Sequence, residues 1–149
     1  MGLFDSFRQA GIQKSRVTLG PAEAFVALML IVVSSDGYLA EDEMRLLNAT
    51  FNRMKLFRSY SSDVMLRMID SLCNTLRRDG AKVLFAAAIE TLPHDLYDTA
   101  FAIATDLILA DGEVTQEEED LLGSLCRALD LPNDLVNQVI RVMIIKNKG

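Results

Sequence analysis

A chain of 149 residues, half of them apolar and with a formal charge of −6, is long enough to bury roughly 70% of its unfolded surface without disulfides or metals, which excludes disorder as its main state. The charge is unevenly placed: residues 90–134 hold twelve acidic side chains and one basic one, a local −11, between a neutral stretch at 21–89 and basic ends. An acidic stretch of that size repels a duplex, so no nucleic-acid partner is expected.

Leu, Ala, Met, Glu and Arg dominate the chain and no segment alternates with period two for long, so its elements read as helices. Residues 1–20 form an N-terminal amphipathic segment with a short helix near 3–14, in which Leu3, Phe4, Phe7 and Ala10 line an apolar stripe above Arg8, Lys14 and Arg16. That stripe is expected to dock on the core or to meet a partner or a membrane surface peripherally. Residues 21–149 form one helical domain. Pro21 opens a helix over 21–35 whose apolar run, Ala24 to Val33, is ten residues long, about half of the ~20 that a membrane span needs. Helices follow over 41–57, 62–78, 81–92, 95–110, 116–129 and 133–146. Ser61 or Ser62 caps the third of these domain helices, and Asp79-Gly80 closes it after Arg77 and Arg78. Pro93 and Pro132 separate the later ones. The whole reads as an all-α, single-domain bundle of seven to eight helices. Cys73 and Cys126 each lie among leucines and read as buried, reduced thiols of a cytoplasmic protein.

Set against itself at an offset of 75 residues, the chain matches over 24–47 and 99–122. Ala27, Asp36, Gly37, Glu43, Leu46 and Leu47 fall on Ala102, Asp111, Gly112, Glu118, Leu121 and Leu122. Each copy runs from a nearly uncharged helix into Asp-Gly, one residue, an aliphatic residue (Leu39 or Val114) and then a Glu six positions after the Gly. Helices apolar on most sides are buried on most sides, so these two are expected to form a central pair with the others around them.

The glycines are expected to end their helices in a left-handed conformation, with Leu39 and Val114 packing back on the core. Thr115 and Glu118 have capping-box spacing, whereas Ala40 has no side-chain oxygen to pair with Glu43. Asp79-Gly80 ends its helix with Ala86 where the other two motifs have Glu, so helix termination here does not require that carboxylate. Asp36 and Asp111 fall at helix C-termini, where the macrodipole already makes the potential negative and a positive group brings relief. Free carbonyls with Asp and Glu carboxylates are the hard oxygen ligands that Ca²⁺ or Mg²⁺ prefers. An EF-hand loop is excluded, because with Gly112 at its sixth place the first and third ligand places fall on Leu107 and Leu109. Any cation must therefore be held by two turns brought together, or by Asp98, Asp106 and Glu113 nearby; weak, solvated carboxylates are the alternative. Glu117, Glu119 and Asp120 read as an ordinary solvated helix start.

A central pair of apolar helices, each leading into Ser-Asp-Gly or Ala-Asp-Gly, an aliphatic residue and a downstream Glu, resembles the TerB (tellurite resistance) family and its wider TerB-like group. The resemblance runs from about Pro21 to Lys146 and is best over Ala102 to Leu131. It implies a small all-helical domain of two repeats with an acidic cluster at its turns, formed here by Asp36, Glu43, Asp111 and Glu118. It also implies cytoplasmic work with other stress-resistance proteins and divalent-metal binding. Asp106 is a further candidate ligand, although its repeat counterpart is Ile31, and Ala40 departs from the polar residue usual before the second helix.

His94, the single His, reads as an exposed residue at a helix start, and no Ser or Cys is spaced to form a nucleophile motif with it. Phosphate loops, dinucleotide fingerprints and HExxH are absent from the sequence. An enzyme is not expected, nor a small-molecule substrate. The expectation is a non-enzymatic, cytoplasmic stress-response module that works through a protein partner and binds Ca²⁺, Mg²⁺, Mn²⁺ or Zn²⁺ at its Asp-Gly turns. The alternatives are a plain helical scaffold whose acidic second half docks a basic protein and, ranked last, a metal-dependent hydrolase using the same carboxylates.

Overall fold

Pro21–Val33 form helix α1, and nine of its thirteen side chains are buried, since a helix that is apolar all round has no face to give to water. The structure, a computed structural model, describes residues 17–110 and 112–149; the helix expected near 3–14 and the candidate ligand Asp111 lie outside the described residues. Six more α-helices follow α1: α2 Glu41–Asn52, α3 Ser62–Asp79, α4 Ala81–Thr91, α5 Tyr97–Leu109, α6 Gln116–Leu129 and α7 Asn133–Lys146. Single 3-10 turns occur at Lys55–Phe57 and His94–Leu96. Among the described residues there is no strand, and the all-α expectation holds.

The two apolar helices form the central pair. α1 packs on α4, α5 and α3, while α5 packs on α1, α7 and α6. The repeat visible in the sequence is thus also a repeat in space: α1, α2 and α3 correspond in order to α5, α6 and α7, and the third helix of each half lies on its own central helix. α4 joins the halves and packs against α1 and α3. One continuous core results, with Phe25, Leu28, Leu30, Phe101 and Leu125 among its largest fully buried side chains. Burial of such side chains contributes roughly 1.5–3 kcal/mol each.

Several boundaries differ from the sequence reading, each for a local reason. The helix expected over 41–57 stops at Asn52, and Met54 is extended at φ −99°, ψ 135°. The chain then makes the Lys55–Phe57 turn, which carries Phe57 into an aromatic cluster with Phe25, Phe51 and Tyr60 at centroid distances of 6.2, 5.0 and 5.8 Å. Aromatic packing here overrides a helical periodicity that would have continued. α1 ends at Val33 because Ser34 turns extended, at φ −150°, ψ 102°, so Gly37 lies in the loop beyond the helix end and not at its cap. Leu39 packs against the core as expected, but Val114 is 39% exposed, so the second aliphatic residue does not pack back. Ser61, rather than Ser62, caps α3, accepting from the Val64 N–H at 3.2 Å. No helix among the described residues is long and apolar enough to cross a membrane.

Candidate functional site

Two short segments lead from the central helices into α2 and α6, and they are built differently. In the first, the Asp36 carboxylate is turned into its own loop: Oδ1 accepts from the Ser34 hydroxyl at 2.9 Å and from the Tyr38 N–H at 3.0 Å. The Tyr38 amide, helped by the Ser34 hydroxyl, holds the Asp36 carboxyl below the usual carboxylate range. Gly37 is buried and has φ +86°, and a Cβ there would lie 2.7 Å from Arg77 Cγ and 2.9 Å from the Cys73 carbonyl oxygen. Arg77 of α3 closes the loop. Its Nη1 donates to the Gly37 carbonyl at 2.6 Å, its guanidinium lies 4.9 Å from the Tyr38 ring centroid, and it also donates to Asn74 Oδ1. The positive group wanted beyond the end of α1 is supplied, at this turn, by a side chain of the protein itself.

Gly112 in the second segment also has positive φ, +88°, but it is exposed and nothing lies within 4 Å of where its Cβ would be. The segment ends in the capping box read from the sequence: Thr115 Oγ1 accepts from the Glu118 N–H at 3.1 Å, and Glu118 Oε1 accepts from the Thr115 N–H at 2.9 Å. Glu43 makes half of the same arrangement. Its Oε1 accepts from the Ala40 N–H at 2.8 Å, while its own N–H donates to Asp42 Oδ1 at 3.0 Å. A carboxylate at the third helical position thus satisfies an orphan backbone donor even where the cap residue has no oxygen, a role for Glu43 that sequence reasoning missed.

Glu43 and Glu118 line one cavity of about 170 Å³ together with Val32, Val33, Asp42, Leu46 and Leu107. Two pairs in that lining, Val32 with Leu107 and Glu43 with Glu118, are repeat counterparts 75 residues apart. The cavity therefore lies where the two halves of the bundle mirror each other, with an apolar floor from α1, α2 and α5 and carboxylates from the starts of α2 and α6. Each Glu uses one oxygen on its own helix start, and the second makes no hydrogen bond among the described residues. The space exceeds the ~10–15 Å³ that one water requires, and hard oxygen donors suit Ca²⁺, Mg²⁺ or Mn²⁺ better than Zn²⁺, which favours the nitrogen and sulfur donors missing from this lining. Among the described residues no three His, Cys, Asp or Glu side chains gather closely enough to hold an ion by themselves.

The remaining candidates are dispersed. Asp36 does not line the cavity, and Asp111 lies outside the described residues. Asp106 faces the end of α7, where its Oδ1 accepts from Lys146 Nζ at 3.1 Å and from Asn147 Nδ2 at 2.8 Å. An exposed His94 holds its ring 4.7 Å from that of Tyr97 and tilted by 54° to it, at the start of α5. Cys73 is buried as expected, but Cys126 is only half-buried; desolvation pushes both thiols up, with Arg77 and Arg127 opposing it, which leaves both less nucleophilic than an ordinary cysteine. A second, apolar hollow of about 240 Å³ runs between Ile31 of α1, Ala81, Lys82 and Phe85 of α4, and Leu121 and Ser124 of α6. Glu117, Glu119 and Asp120 are exposed on α6, as expected of a solvated helix start. Comparison of the chain with protein-family models, with curated proteins and with solved structures returns no match.

Proposed function

We propose that the chain is a non-enzymatic, TerB-like helical module of the cytoplasmic stress response, acting with a protein partner and taking up a divalent cation at the cavity between its two halves. The observation that carries this reading is the convergence of the repeat-related Glu43 and Glu118 on a single cavity. Duplication preserves a carboxylate at both positions although only the second has a hydroxyl partner for a full capping box. The second oxygens of Glu43 and Glu118 would hold the ion, with retained waters completing its shell, and Asp111 joins the proposal from its place in the sequence, seven residues before Glu118. Asp36 and Asp106 are left out of the ligand set, because neither lines the cavity and Oδ1 of each is already engaged, by Ser34 and Tyr38 and by Lys146 and Asn147.

Calorimetric titration with Ca²⁺, Mg²⁺, Mn²⁺ and Zn²⁺ tests the cation part, with wild type compared against the Glu43→Gln, Glu118→Gln double variant. Saturable heat and a raised melting temperature in the wild type alone support it. No response to any of the four ions at millimolar concentrations, or an equal response in the double variant, overturns it. The second reading, a scaffold docking a basic partner, is favoured by the exposed Glu117, Glu119 and Asp120 on α6. It predicts binding of a Lys/Arg-rich peptide that falls with added salt and ignores chelators.

A further inference from the structure

The two halves of the bundle are not equally covered. In the first, α3 packs on α1 and α4 and buries Met65, Ile69, Leu72, Cys73 and Leu76. Its counterpart α7 packs chiefly on α5 and buries none of its residues, although its sequence is apolar over most of its circumference. Val142, Ile144 and Ile145 are 53%, 47% and 60% exposed, three of the seven large apolar side chains open to solvent among the described residues. The central helices show the same contrast at matched positions: Ala27 and Leu28 of α1 are buried, while Ala102 and Ile103 of α5 are half-buried.

What covers the first half is α4. Moved back by the repeat offset of 75, α4 (Ala81–Thr91) falls on residues 6–16, which overlap the N-terminal amphipathic segment; the buried Leu84 and Ala88 then meet Gln9 and Gln13, so the offset gives the segment's place and its own apolar stripe gives the face it buries. The lengths agree, since α4 has 11 residues and the helix read at 3–14 has 12. The connectors agree as well: five residues, 92–96, lead from α4 to α5, and six, 15–20, lead from that segment to α1. Val17 packs against the core at the position matching the buried Leu92, so both connectors are anchored alike. We propose that residues 3–14 occupy, on α5 and α7, the place that α4 takes on α1 and α3, as the eighth helix of a pseudo-twofold bundle. Leu3, Phe4, Phe7 and Ala10 supply the apolar stripe that Ile103, Val142 and Ile145 lack a cover for. The direction follows from α4, whose start lies beside the end of α1, since Ala81 and Phe85 share a hollow with Ile31. Run the same way along α5, the segment brings Lys14 and Arg16 toward the exposed Asp95 and Asp98 at the start of the acidic stretch.

Hydrogen exchange on the full-length protein, wild type against Phe7→Asp, tests the docking. The amides of α7 are expected to exchange roughly tenfold faster in the variant while those of α3 keep their rates, because local protection follows local packing. Equal α7 rates in the two proteins overturn the proposal. A spin label on Gln9→Cys, in a Cys126→Ser background, gives an independent reading: it is expected to broaden the Ile144 and Ile145 methyl signals at every protein concentration. Broadening that vanishes on dilution assigns the face to a second copy of the chain and overturns intramolecular docking. So does a label that leaves these methyls sharp in solution while the segment binds only vesicles of phosphatidylglycerol and phosphatidylcholine.

Discussion

The two glycines of the repeated motif have the same backbone sign and different surroundings. Gly37 at φ +86° lies under Arg77 and the Cys73 carbonyl, whereas Gly112 at φ +88° faces open space. An alanine at either position meets the left-handed penalty of roughly 1–2 kcal/mol, and at 37 it must also displace Arg77, a further cost of about 1–3 kcal/mol. Gly37→Ala is therefore expected to lower stability about 2 kcal/mol more than Gly112→Ala does in urea unfolding; equal losses would remove Arg77 as the clamp of the first turn. Asp36 gives a pH-dependent counterpart. Its carboxyl is held below the ordinary value of 3.8 by the Tyr38 amide and the Ser34 hydroxyl, so its contribution to stability is complete above that value and is lost as pH falls through the lowered one. The difference in melting temperature between wild type and Asp36→Asn should then be larger at neutral pH than in acid well below 3.8. A difference that stays constant across that range contradicts the assignment. The first effect is not visible in the motif itself, because Arg77 arrives from 40 positions away, whereas the second acts through neighbours two residues off.

Among the elements, α2 and α6 begin alike in sequence and differ at one atom. Thr115 completes a reciprocal box with Glu118, and Ala40 leaves that of Glu43 half made. Thr115→Ala should lower stability by about 1 kcal/mol. Ala40→Thr should raise it by a smaller amount, about 0.5 kcal/mol, since Asp42 already accepts from the Glu43 N–H. Chemical denaturation of the two single variants checks both signs; a loss on Ala40→Thr would mean that the start of α2 is shaped by the cavity and not by its cap. The helix boundaries themselves were largely legible, because Pro21, Ser61, Gly80 and Thr115 act through neighbours within four residues. The misread end of α2 has the opposite character: Phe57 leaves the helical path for a cluster whose other rings include Phe25, 32 positions earlier.

For the molecule as a whole, the contact of α1 with α5 means that neither half has a core of its own. Unfolding should accordingly be a single cooperative transition. Tyr38 and Tyr60 lie in the first half and Tyr97 in the second, so fluorinated tyrosines give three signals that should lose native intensity at one midpoint; separate midpoints would show that the halves fold independently. The helical class, the duplicated motif, the apolar character of α1 and α5 and the acidic stretch can be read along the chain, because each is a matter of local periodicity or of composition. Which carboxylates meet depends on the packing of the helices. The tertiary structure places Glu43 and Glu118 on one cavity, turns Asp36 into its own loop and draws Asp106 to Lys146 and Asn147. The reason is geometric: a repeat offset says which residues are equivalent, but the packing of α1 on α5 sets which equivalents come face to face, and long-range partners such as Arg77 determine which charges are already satisfied.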